Sequence, residues 1–127
     1  MQMGSLGSIA GSALNAFGVD MMVRANNIAN VNTPGFHAQD VSLMTGTDGQ
    51  GVMVGSITTN SIPGPYMPGL ISISDEGHLA PGFVEGSNTN ITTEFVHMMG
   101  TQNAYEANTV VVRAADEMLG TLLDMKI

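Results

Sequence analysis

The sequence predicts a mainly α protein with a small β segment: long N- and C-terminal helices pairing as a coiled coil, with a short β-hairpin-like module between them. Three observations predict it. Apolar residues step by four and three along both ends of the chain, and the middle gives up that period for short β-branched runs. Charge is scarce: Asp, Glu, Lys and Arg make up 11% of the 127 residues, where soluble domains average about 25%. Two long helices with so little charge have faces suited to burial against neighbours, because no ions are stranded there.

The first helix is expected from about Gly4 to Val31. Ala10, Leu14, Phe17, Met21, Arg24, Ile28 and Val31 form a face that is apolar except at Arg24. Beside it Ala16, Asp20, Val23, Asn27 and Asn30 make an increasingly polar stripe, and Gly4, Gly7, Gly11 and Gly18 weaken the isolated helix. Asn26, Asn27 and Asn30 have two readings, a buried cluster that fixes register between helices or a helix end nearing its cap. Thr33 before Pro34 is biased toward extended geometry, Pro34-Gly35 suits the centre of a type II turn, and Phe36 follows as its anchor.

Between Phe36 and Gly86, Gly51–Thr59 and Leu70–Ser74 read as short strands. Ile62–Gly69, with three prolines, is expected to be irregular, and Asp75–His78 and Ala80-Pro81-Gly82 to be turns. The last helix is expected from about Asn90 to Lys126. Asn90 or Thr92 can cap it, Glu94 sits favourably in its first turn, and Ile91 would staple against Val96 if Thr92 is the cap. Ala104, Asn108, Val111, Ala115, Met118, Leu122 and Met125 line one face. Such a helix is on the order of 50 Å long, more than a domain of this size is wide. The organisation is therefore 1–36 (first helix and turn), 37–88 (β-rich segment) and 89–127 (last helix), with the first and last parts forming one helical unit.

Three basic residues against eleven acidic ones, a formal net charge of −8, argue against nucleic acid and against anionic membrane surfaces. Cysteine is absent, which excludes a disulfide framework and a thiolate metal site. The opening residues lack a basic n-region and a continuous apolar h-region, so no Sec-type leader is expected, and no stretch reads as a membrane span. Eleven methionines suit a soft core or interfaces that fit non-identical neighbours. Glu94 and His97 make one Glu-x-x-His pair where di-metal bundles need two, and His37 with Asp40 is a loop cluster, so a small metal-binding helical protein is only a remote alternative. No nucleophile elbow or phosphate loop occurs; no enzyme activity, metal or cofactor is expected.

Ala25-Asn26-Asn27-Ile28-Ala29-Asn30-Val31-Asn32-Thr33-Pro34-Gly35-Phe36 resembles the N-terminal signature of bacterial flagellar rod and hook axial proteins. Glu85-Gly86-Ser87-Asn88, Thr93–Met99, Thr101–Asn108 and Ala115–Leu119 are similar to that family's C-terminal helix, together with the first match about half the chain. The resemblance implies a structural subunit of the basal-body rod. Such subunits polymerise through their terminal helices into a tube that transmits torque and conducts exported subunits. It also implies export across the inner membrane by the flagellar type III apparatus without a cleaved signal, a periplasmic location, and contacts with copies of itself and other axial subunits. The short middle segment resembles the small rod proteins, whereas the C-terminal motif is more like the hook and distal-rod type; a hook-type or minimal axial subunit is the alternative. The residues expected at subunit contacts are Leu14, Phe17, Met21, Asn27, Ile28, Asn30, Val31, Pro34, Gly35 and Phe36 from the first part. From the last helix they are Phe95, Met98, Tyr105, Asn108, Val111, Ala115, Met118, Leu122 and Met125.

Overall fold

The computed structural model describes residues 3–72 and 77–125. Helix α1 runs Met3–Ala29, strands β1 Gln39–Thr45 and β2 Val52–Thr59 form one hairpin, β3 Tyr66–Ser72 and β4 Leu79–Glu85 form a second, and helix α2 runs Ile91–Met125. The expected helix end at Lys126, the strand end at Ile73-Ser74 and the Asp75-Glu76 part of a turn lie outside the described residues.

The helices pack antiparallel: Arg24 meets Glu94 while Asp20, four residues earlier, meets Thr101, seven residues later. Their shared seam is narrow. Ala10, Ala13, Ala16, Asp20, Val23, Arg24 and Asn27 are buried on α1, and Glu94 and Ala115 on α2. This corrects the expected α1 seam. Leu14, Phe17, Met21 and Ile28 lie half-buried on the flank, and the stripe next to them faces the inside. The reason is steric: small side chains let two backbones approach closely, and bulky ones are left at the sides. On α2 the expected stripe is the right one, with Ala104, Asn108 and Val111 half-buried and Ala115 buried. It is covered only as far as α1 reaches, since α1 has 27 residues and α2 has 35. Met118, Leu122 and Met125 are therefore exposed.

The middle segment holds two hairpins where one module was expected. Val52–Thr59 pairs with Gln39–Thr45, a strand absent from the sequence reading, and not with the Leu70 segment. The proline-rich stretch is part strand: Pro68 opposes Phe83 and Pro81 opposes Leu70. The expected irregular loop at Pro68-Gly69 and turn at Ala80-Pro81-Gly82 are thus corrected. In a two-stranded hairpin every strand is an edge, and a proline fits wherever its missing N–H would point away from the partner. The two proline pairs are two steps apart in register and so belong to the same class of position.

The α2 cap is Asn90, whose Oδ1 accepts the Thr92 and Thr93 N–H groups at 3.1 and 3.3 Å. Ile91 and Val96 are both exposed, so no staple forms between them. Over Leu6–Ala29, α1 is long and apolar enough by length and composition to cross a membrane, with a mean hydropathy of 1.3 in its window. The stretch holds no continuous apolar run, since Leu6, Ile9, Leu14, Phe17, Val19, Val23 and Ile28 and the alanines and methionines that raise its average are spaced between glycines and polar residues. In the fold, the Asp20, Arg24 and Asn27 side chains of that helix are engaged by α2 and β1.

Candidate functional site

The polar residues of α1 build a junction that fixes where the hairpins leave the helix pair. Asn27 is fully buried, with 0% exposure. Its Nδ2 donates to the Gln39 carbonyl at 2.7 Å and its Oδ1 accepts the Gln39 N–H at 2.9 Å. A side-chain amide here does what a neighbouring strand would do, anchoring the first residue of β1 to the helix. Of the two readings of the asparagines, Asn27 fixes register, though between helix and strand and not between helices. Asn30 does the other: its Nδ2 donates to the Asn26 carbonyl at 2.9 Å and its Oδ1 accepts the Thr33 hydroxyl at 3.0 Å as the helix unwinds.

One turn earlier, Arg24 joins three elements. Its guanidinium is hydrogen-bonded to Asp40 of β1 and lies 3.4 Å from Asp20 of α1 and 3.4 Å from Glu94 of α2. Burial opposes the charge, but the Asp40 hydrogen bond and the charges of Asp20, Asp40 and Glu94 outweigh it, holding the Arg24 pKa above its ordinary value. Asp20 is further satisfied by the Thr101 hydroxyl at 2.6 Å. Arg24 Nε, although 3.4 Å from Asp20, has no hydrogen bond of good geometry. Arg24 stood out in the sequence as the break in an apolar stripe. Asp20 is readable from it at four-residue spacing; Asp40 and Glu94 are not, because only the fold brings them there.

The exit turn forms as expected. Phe36 N–H donates to the Thr33 carbonyl at 3.2 Å, and Gly35 has φ +74°, the conformation required at the third position of a type II turn. Gly35 N–H donates to the Glu85 carbonyl at 2.8 Å, and Asn88 N–H to the Phe36 carbonyl at 3.1 Å, so the turn is tied to the lead-in of α2. His37 is not a partner of Asp40. Its Nδ1 meets the Asn60 carbonyl at 2.7 Å and its Nε2 the Glu85 carboxylate at 3.1 Å, linking the bases of both hairpins. Asn88, the last residue of the Glu85–Asn88 match, completes this knot: its Nδ2 donates to the Asn60 and Ile62 carbonyls at 3.0 and 2.7 Å.

Glu94 is thus committed to Arg24, and among the described residues no group of three or more His, Cys, Asp or Glu side chains is placed to hold a metal ion.

What the junction leaves uncovered is apolar. Among the described residues, no buried hydrophobic side chain is larger than Val23. Of the residues expected at subunit contacts, Asn27 and Ala115 are taken up inside the chain. Leu14, Phe17, Met21, Ile28, Asn30, Val31, Phe36, Met98, Asn108 and Val111 are half-buried, and Pro34, Gly35, Phe95, Tyr105, Met118, Leu122 and Met125 are exposed. A shallow groove of about 680 Å³ runs between the helices, lined by Gly18 and Met21 of α1 and Tyr105 and Val110 of α2. Among the described residues, many large apolar groups lie at the surface and few inside.

Two families match the two ends of the chain. Residues 8–37 match the family described as "Flagella basal body rod protein", and residues 80–125 the one described as "Flagellar basal body rod FlgEFG protein C-terminal". Flagellar basal-body rod protein FlgG of Buchnera aphidicola subsp. Schizaphis graminum is 44% identical over 55 residues, 43% of this chain and 20% of its own length. Flagellar basal-body rod protein FlgC of Borreliella burgdorferi is 36% identical over 80 residues, 59% of this chain and 50% of its own length. Flagellar hook protein FlgE of Caulobacter vibrioides is 36% identical over 63 residues, 50% of this chain and 11% of its own length. The chain thus spans half or less of the length of these relatives.

Proposed function

The chain belongs to the flagellar rod and hook axial protein family, and from that premise we propose that it is a structural subunit of the basal-body rod, polymerising through its terminal helices. The observation that carries this reading is the distribution of apolar groups. A helix pair whose seam is alanine, whose flanks carry Leu14, Phe17 and Met21, and whose longer partner overhangs with Leu122 and Met125 exposed lacks a sufficient core of its own. Repetition of one such contact without closing a ring gives a helical tube. The terminal helices line that tube, which transmits torque and conducts exported subunits. Supercoiling of the helix pair, self-association, contacts with other axial subunits and passage through the type III export apparatus without a cleaved signal are parts of the same proposal.

The rod is favoured over the hook by the middle segment. Two hairpins fill the segment between Phe36 and Gly86, which is short as in the small rod proteins that the sequence resembles. The junction then has a mechanical role: Arg24, Asn27 and the Pro34-Gly35 turn fix the angle at which the hairpins leave the helices. Sedimentation and negative-stain imaging across a concentration series test the reading. Elongated assemblies that grow with concentration are expected, and a discrete dimer that never elongates would contradict it.

A further inference from the structure

We propose that one face of the β3–β4 hairpin receives the C-terminal turns of α2 from a second copy of this chain. The inference rests on the axial-subunit reading and deepens it, by naming the two surfaces that meet.

The hairpin register puts Tyr66, Pro68 and Leu70 of β3 on the same face as Phe83, Pro81 and Leu79 of β4. Tyr66, Leu70, Leu79 and Phe83 are all exposed, Phe83 to 72%. Whereas β1 and β2 pack on α1, β3 and β4 pack on each other and make no comparable contact with either helix. Strand addition at the hairpin's edges is disfavoured, because Pro68 and Pro81 each leave one outer edge without a donor near its middle. What remains is docking onto the face, which suits a helix.

The structure offers such a helix. The α2 stripe that packs on α1 through Ala104, Val111 and Ala115 continues without a break into Leu122 and Met125, where α1 has ended. Over these last turns Leu119, Leu122, Leu123 and Met125 share one side, and Glu117, Thr121 and Asp124 lie on the other. Among the described residues of the two surfaces, Glu85 at the hairpin base is already held by His37, and Glu117 and Asp124 lie on the far side of the helix, so docking strands neither.

Placement selects a second copy as the occupant. The hairpin base is tied to the point where α1 ends and α2 begins, through Gly35 N–H to the Glu85 carbonyl, and the α2 overhang is at the opposite pole of the antiparallel pair. The two surfaces cannot meet within one chain, but they meet when copies stack head to tail, an open and repeatable contact. Four side chains of this size present on the order of 500 Å², less than the roughly 800 Å² per partner of a stable isolated complex. Such a contact holds as one of several in an array and not as a discrete dimer.

The absence of native cysteine makes the test direct. Phe83→Cys and Leu122→Cys are introduced together, and each alone, in place of the native chain in its own cells, which are then oxidised. The expected result in motile cells is a ladder of cross-linked chains whose linked peptides join positions 83 and 122, with no ladder from either single variant. Motile cells that give no ladder, an 83-to-83 link, or a link to a different protein overturn the inference and leave the axial reading standing. Should cysteine at either position stop assembly, a charge pair decides: Phe83→Arg with Leu122→Glu restores the motility that each removes alone, and failure to restore it overturns the contact. Absence of the native chain from purified basal bodies is the separate result that removes the axial reading itself.

Discussion

The Arg24 guanidinium lies 3.4 Å from the Glu94 carboxylate with both side chains buried, joining the second-last turn of one helix to the first turn of the other. They are 70 positions apart in the chain, and the same arginine reaches Asp20 and Asp40. A buried charge left with fewer partners costs more than an exposed pair gains. Arg24→Ala is expected to destabilise the chain by about 3–5 kcal/mol, because Asp20 and Glu94 are left buried without their counter-charge. Arg24→Lys should recover only part of that loss, since a point charge on a flexible stem cannot face three carboxylates as a planar fork does. Urea titrations followed by circular dichroism measure both; an Arg24→Ala chain as stable as the parent would show the cluster to be dispensable.

The pH dependence follows from the sign of the Arg24 shift. Its folded-state pKa is raised, so its contribution is fully present below the unfolded value and is lost only as pH climbs through the folded one, both in strong alkali. Urea midpoints at pH 6 and pH 9 should therefore differ equally between parent and Arg24→Lys. A difference that opens between the two pH values would contradict a clamp that stays charged.

Asn27→Ala removes the side chain that satisfies both backbone groups of Gln39. The expected cost is about 2–3 kcal/mol, from two backbone groups losing their partner at a partly buried position. The local readout is amide exchange. The Gln39 N–H should exchange much faster in the variant while the amides of α2 change little; unchanged protection at Gln39 would mean another group holds the strand.

Two glycines at the junction should respond differently. A Cβ at Gly64 would sit 2.2 Å from the Gly86 carbonyl oxygen, a backbone atom that cannot turn aside, whereas a Cβ at Gly35 meets nothing within 4 Å and only its φ of +74° resists. Gly35→Ala is expected to cost about 1 kcal/mol, and Gly64→Ala more, because the hairpin base must separate from the α2 lead-in. Melting temperatures rank the pair, and a Gly35→Ala loss equal to or larger than that of Gly64→Ala would contradict the packing at Gly64.

The elements that could be read from sequence are those whose cause is local. The Pro34-Gly35 turn, the Asn90 cap and the α2 stripe through Ala115 each depend on residues within a few positions. The α1 seam was misread because periodicity ranks faces by hydrophobicity, while a two-helix pair selects the face whose side chains are smallest, here Ala10, Ala13 and Ala16. The large apolar residues Leu14, Phe17 and Met21 are left half-buried on the flank of that pair, and the proposed axial role assigns them to contacts with other chains. Strand β1 was missed because Gln39–Thr45 gains its pairing from β2 and its anchor from Asn27, both outside any local window. Pro68 and Pro81 hid a hairpin because proline was weighed as a breaker without regard to which way its nitrogen faces.

Leu122→Asp separates folding from assembly. Leu122 is exposed in the single chain, so its circular dichroism spectrum should match the parent, whereas burying an unpaired carboxylate at each subunit contact costs several kcal/mol, about 2–3 or more. Folded protein that no longer elongates is the expected outcome; elongation equal to the parent would remove the overhang from the interface.

The central claim, that this chain is a structural part of the flagellar axis, is tested most directly by imaging basal bodies in cells from which it has been deleted. The account predicts non-motile cells whose axial structure stops at the level of the missing subunit and is completed when the chain is restored. Swimming cells with a complete rod and hook would contradict it.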